Sequence, residues 1–126
     1  KGQTLTTPPI SQIFALDKQM DLILKQGLEK RFQHHEHLAL TVRAFAQKHF
    51  ALFAEEGYES PTITVFKNTK NISFTLLNDY LAMKGYEIAP GYGKLKDLTF
   101  RIGHMGDTSL EDTQKLLLVI EEFLQR

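Results

Sequence analysis

Residues Phe100 to Asp107, Phe-Arg-Ile-Gly-His-Met-Gly-Asp, set a permanent cation inside an otherwise apolar stretch and follow it at once with glycine and histidine. Strand alternation puts Leu98, Phe100 and Ile102 on one face and Thr99, Arg101 and Gly103 on the other. Arg101 therefore points away from the core, and the missing side chain of Gly103 leaves room for an approaching group. A guanidinium is a planar fork of donors that matches a carboxylate two bonds at a time, so a carboxylate-bearing ligand is the chemistry this face could serve. The alternative is an arginine on a solvated face or paired with an acid of the same chain. His104 falls on the core side if the strand continues, where a satisfied structural histidine is expected.

The run Gln33 to His37, Gln-His-His-Glu-His, places three histidines within one helical turn. His34 and His37, three apart, could share a face and hold a metal, but the His-Glu-x-x-His order is absent and no third ligand stands out, so a solvated helix surface is the simpler expectation. Gly91-Tyr92-Gly93 neither opens a helix nor ends in the Gly-Lys-Ser/Thr of a phosphate loop; it reads as a turn needing positive φ. Glu55, Glu56 and Glu59 surround a turn and are expected in solvent, and no acid and base pair is singled out.

The elements that must position these residues follow from hydrophobic spacing. Pro8 and Pro9 lead into a helix carrying Ile10, Ile13, Phe14, Leu16, Met20, Ile23 and Leu24, which Gly27 ends; Leu28, Phe32, Leu38, Val42, Phe45 and Phe50 continue at helical spacing. The period then changes: a short apolar run at 51–53, the β-branched alternation of Ile63 and Val65, a helix over Phe74, Leu77, Tyr80 and Leu81 closed by Gly85, short strands at 86–89 and 98–102, and a last helix. Thr108 and Glu111 stand in capping-box spacing before that helix. The order predicts an α+β fold, a small, mostly antiparallel sheet covered by helices.

The 126 residues, 42% hydrophobic, suffice for one ordinary core. Fifteen basic and fifteen acidic residues cancel without long blocks, which argues against nucleic acid and anionic membranes as partners. No apolar run approaches the roughly 18 residues of a membrane span. With no cysteine, disulfides and thiolate chemistry within this chain are excluded, and a reducing, cytoplasmic setting is expected.

Beyond this local reading, Thr-Thr-Pro-Pro-Ile-Ser-Gln-Ile-Phe-Ala-Leu (6–16), the segments at 26–39 and 59–66, and Phe-Arg-Ile-Gly-His-Met-Gly-Asp resemble, in order, the C-terminal part of class V aminotransferases, the pyridoxal-phosphate family that includes alanine:glyoxylate and serine:pyruvate aminotransferases. The resemblance implies a fold-type-I enzyme, dimeric, with an upstream cofactor-binding domain outside this chain; residues 1–27 would be a linker segment and helix, and 28–126 the C-terminal small domain. It implies that Arg101 binds the substrate carboxylate and that Thr6, or Thr7 one register away, reaches the cofactor phosphate. His35 matches a histidine common in that helix, while His34 replaces a frequent arginine.

The family's Schiff-base lysine lies upstream of the Thr-Pro-Pro turn and nothing here matches it, so no catalytic residue is assigned. The expectation is a C-terminal fragment, not competent by itself, of an enzyme moving an amino group from alanine or serine to glyoxylate or pyruvate. A desulfurase or lyase would share the scaffold. A different class of reading, a stand-alone α+β module that binds a carboxylate or a protein without catalysis, also stays open.

Overall fold

The computed structural model describes residues 7–126, with four α-helices, four strands and one 3₁₀ turn among them. The chain divides into two compact units, 1–33 and 34–126. In the first, α1 (Ile10–Gln26) runs to Gly27, whose φ of +91° ends it as the glycine predicts, and α2 (Leu28–His49) begins one residue later. No residue of α1 is buried. Thr6 lies outside the described residues. No helix among those described is long and apolar enough to cross a membrane.

The second unit holds the rest of α2 and the sheet. Strands β1 (Ala51–Leu52), β2 (Ile63–Lys67), β3 (Ala89–Pro90) and β4 (Thr99–Gly103) lie in the order β1-β2-β4-β3, every pair antiparallel. Helices α3 (Phe74–Met83) and α4 (Leu110–Leu124) complete the predicted α+β arrangement. The core gathers Val42 and Ala46 of α2, Phe66 of β2, Leu77 and Leu81 of α3, Phe100 and Ile102 of β4, and Leu117 and Ile120 of α4. Phe66 and Phe100, opposite each other in register, stack at 4.8 Å, and Phe50 meets both rings edge-on.

Two local expectations are corrected. The cap of α4 is Ser109 with Asp112: the Ser109 hydroxyl accepts from the Asp112 amide at 3.0 Å and donates to its carboxylate at 2.6 Å. Thr108 instead donates to the Met105 carbonyl, closing the loop in front of the helix. Leu98, assigned by alternation to the core face, is 61% exposed because the strand starts one residue later.

Candidate functional site

Register builds the site. Arg101 is paired with Val65 on β2 and Ala89 on β3, and Gly103 with Ile63, so these residues share the sheet face opposite Phe66, Phe100 and Ile102. Arg101 and Gly103, with Ile63, Glu87, Ile88 and Ala89, line an open cavity of about 450 Å³. The outward direction read from alternation, and the room beside Gly103, are therefore present in the fold. Glu87 is exposed at this cavity, and no ion pair joins it to Arg101 among the described residues.

The guanidinium is held from two sides. Its Nε–H donates to the Pro90 carbonyl at 3.0 Å, and its central carbon lies 4.1 Å from the centroid of the Tyr92 ring. No hydrogen bond or ion pair with a described residue engages its two terminal nitrogens. A half-buried cation with that edge free is a donor pair for a planar anion. The alternative of an arginine spent on an acid of this chain is not what the second unit contains.

The segment that places Pro90 and Tyr92 is the one that sequence reading treated as a plain turn. Gly93 does take positive φ, +51°, as expected, but Gly91 is glycine for another reason. A Cβ there would collide with the Leu95 carbonyl and the Thr99 hydroxyl, while its amide donates to the Thr99 carbonyl at 2.9 Å. The loop is thus pressed onto the first residue of β4, two positions from Arg101.

The two histidine-bearing motifs meet. The Gly106 amide donates to His35 Nε2 at 3.1 Å, which requires that nitrogen to be unprotonated, and His34 Nε2 donates to the Thr108 carbonyl at 2.9 Å. Helix α2 thereby grips both ends of the Met105–Thr108 turn that follows the arginine strand. His34 and His37 do not form a metal pair: His34 is committed to the loop and His37 is exposed. Among the described residues no group of three or more His, Asp or Glu is placed to hold a metal. Nothing in the sequence pattern pointed to these loop contacts, since they join positions 71 and 74 residues apart.

His104 is fully buried, as its parity required, and shares a 2.8 Å hydrogen bond with the Thr64 hydroxyl through Nε2. It is satisfied at one nitrogen only, because Nδ1 has no partner among the described residues. Burial pushes its pKa below the ordinary 6.5, with the charge of Arg43 adding to the effect. Of the acids expected in solvent, Glu55 and Glu56 are exposed, whereas Glu59 is partly buried and accepts from the Gly57 amide at 2.9 Å.

No protein-family model matches the chain. Among curated proteins it is 34% identical over 123 residues to an uncharacterized aminotransferase of Methanocaldococcus jannaschii, covering 96% of this chain and 32% of that protein. It is 32% identical over 127 residues to a 2-aminoethylphosphonate–pyruvate transaminase of Lysinibacillus sphaericus, covering 98% of this chain and 34% of that protein. Among solved structures, an alanine–glyoxylate aminotransferase of Nostoc sp. superposes with a TM-score of 0.85 at 25% identity, over 97% of this chain and 33% of the other. The chain spans about a third of the length of these relatives. Over nearly all of its own length, its homologues are class V aminotransferases.

Proposed function

Taking that homology as premise, we propose that the whole protein is a pyridoxal-phosphate-dependent aminotransferase, of which these residues form the C-terminal part, and that Arg101 binds the carboxylate shared by a small amino acid and a small 2-oxo acid. The observation that carries the proposal is the state of Arg101: on the open face of β4, facing a cavity, with Nε engaged and both terminal nitrogens free. Amino donors differ between the relatives named above, alanine in one and aminoethylphosphonate in another, while both acceptors, glyoxylate and pyruvate, are 2-oxo acids. A single carboxylate clamp serves what these acceptors have in common.

The part of the site supplied here suits the substrate end and not the cofactor end. The cavity lining contains no lysine, and its polar groups are one guanidinium and one carboxylate. Pyridoxal phosphate, when bound, supplies the electron sink and carries the amino group; by the family resemblance its lysine and ring-binding residues would lie outside this chain, upstream of the Thr-Pro-Pro turn, with Thr6 a candidate for its phosphate. What this chain does is bind and orient. Two parallel hydrogen bonds from Arg101 fix both carboxylate oxygens, and with them the position of the attached carbon, which leaves rotation about one bond to be set by the rest of the site. Ile63, Ile88 and Ala89 give the cavity apolar walls beside the guanidinium.

The decisive experiment is Arg101→Ala and Arg101→Lys in the whole protein, with KM measured for the amino donor and for the 2-oxo acid. Both constants are expected to rise at least tenfold in the alanine variant, a charge-assisted hydrogen-bond pair being worth about 1.5–3 kcal/mol. The lysine variant should recover only part, since an ammonium is not a fork. Unchanged constants would remove the assignment.

A further inference from the structure

The carboxylate clamp needs more than an arginine. An arginine side chain has several freely rotating bonds, and Val65 and Ala89, its neighbours across the sheet, offer no polar group to fix it. We propose that Tyr92 is the positioning residue of this clamp: its ring holds the guanidinium plane while the Pro90 carbonyl holds the Nε edge, so that the two terminal nitrogens are presented to ligand. The inference rests on the reading of Arg101 as a carboxylate site and adds a residue to it.

Three observations support it. First, Tyr92 is 77% exposed, so hydrophobic burial is not what keeps the ring where it is; among the described residues its one aromatic or cationic partner is the Arg101 guanidinium at 4.1 Å. Second, Pro90 and Tyr92 flank the buried Gly91, which is pinned by the hydrogen bond its amide donates to the Thr99 carbonyl and by close approach to the Leu95 carbonyl. Both contacts on Arg101 are thereby anchored to the strand that carries Arg101. Third, the two contacts are complementary. A ring covers one face of the guanidinium, and a carbonyl on the Nε edge removes the side-on approach. The hydrogen-bonding edge left open is the one formed by both terminal nitrogens, whose spacing matches the two oxygens of a carboxylate. Ordering the guanidinium before the ligand arrives spares the binding step that loss of freedom.

The test compares Tyr92→Phe, Tyr92→Leu and Tyr92→Ala in the whole protein, reading KM for the 2-oxo acid separately from kcat. It also follows the Arg101 Nε–H resonance by NMR in the 126-residue chain without ligand. Phenylalanine keeps the π face and should leave KM within twofold. Leucine keeps bulk without the π face, and alanine keeps neither; both should raise KM about 3- to 10-fold at nearly constant kcat, the span expected for a partly exposed cation–π contact. In both, the Nε–H resonance should move and exchange faster with water. Unchanged KM and an unmoved resonance in Tyr92→Ala, alongside a raised KM in Arg101→Ala, would overturn the role of Tyr92 alone. An unchanged KM in Arg101→Ala would overturn the carboxylate reading and this inference with it.

Discussion

The backbone amide of Gly106 is capped by the imidazole of His35, 3.1 Å away and 71 residues earlier in the chain. With the bond from His34 to the Thr108 carbonyl, it makes α2 the support of the turn after β4. Gly106 has φ +74°, a conformation that leaves its amide turned away from regular secondary structure, so a side-chain acceptor is what satisfies it.

Removing that acceptor should therefore cost more than an ordinary surface change. His35→Ala is expected to destabilise by about 1–3 kcal/mol, the penalty of a part-buried amide left without a partner. Urea unfolding would show it as a lower midpoint at unchanged slope. His37→Ala, on the exposed side of the same helix, should fall within about 0.5 kcal/mol of the parent.

Acidification should act through His104. Its folded-state pKa is lowered, so the unfolded chain takes up a proton near 6.5 while the folded chain does not. The contribution is fully present above pH 6.5, and it declines as pH falls from there towards the folded value, by at most about 1.4 kcal/mol per pH unit. Equilibrium unfolding at a series of pH values from about 7.5 to about 5 should show that slope, and a His104→Asn variant should flatten it. An identical slope in the variant would place the titration elsewhere.

Gly91→Ala should be among the most damaging single-methyl additions to the second unit. The new Cβ meets a backbone carbonyl, which cannot step aside as a flexible side chain could. A loss of about 1–3 kcal/mol is expected. The loop should also lift from Thr99, carrying Tyr92 and Pro90 away from Arg101, which the Arg101 Nε–H resonance would report.

The two hydroxyls before α4 should separate cleanly. Ser109→Ala removes the cap and should cost about 1 kcal/mol, with Ser109→Asp restoring most of it. Thr108→Ala removes one exposed bond to Met105 and should cost less. The reverse ranking in thermal melts would return the cap to Thr108.

Association of the isolated chain is expected through α1. Ile13, Phe14, Leu16, Met20 and Leu24 are each at least half exposed on a helix with no buried residue, more apolar surface than a monomer ordinarily leaves bare. In a solution of purified chain the available apolar partner is a second copy. Light scattering should give a mass above that of one chain, and Phe14→Glu with Leu24→Glu should lower it. A monodisperse monomer at every concentration would contradict this.

Local pattern and tertiary structure divided the work along a physical line. The order of helices and strands, the stops at Gly27 and Gly85, and the opposite faces of Phe100 and Arg101 are consequences of periods of 3.6 and 2, which any window of the chain displays. The resemblance carried by Phe-Arg-Ile-Gly-His-Met-Gly-Asp pointed further, to a carboxylate at Arg101. Side-chain spacing could not tell Ser109 from Thr108, because capping depends on which residue leaves the helical backbone conformation first. Nor could it show that His34 and His35 hold the loop after β4, or that Pro90 and Tyr92 close on Arg101. Those contacts exist only once antiparallel pairing has brought β3 beside β4, and once α2 has packed against the sheet's apolar face. Residue types and spacing determined which side chain could bind; distance in space alone decided what holds it in place.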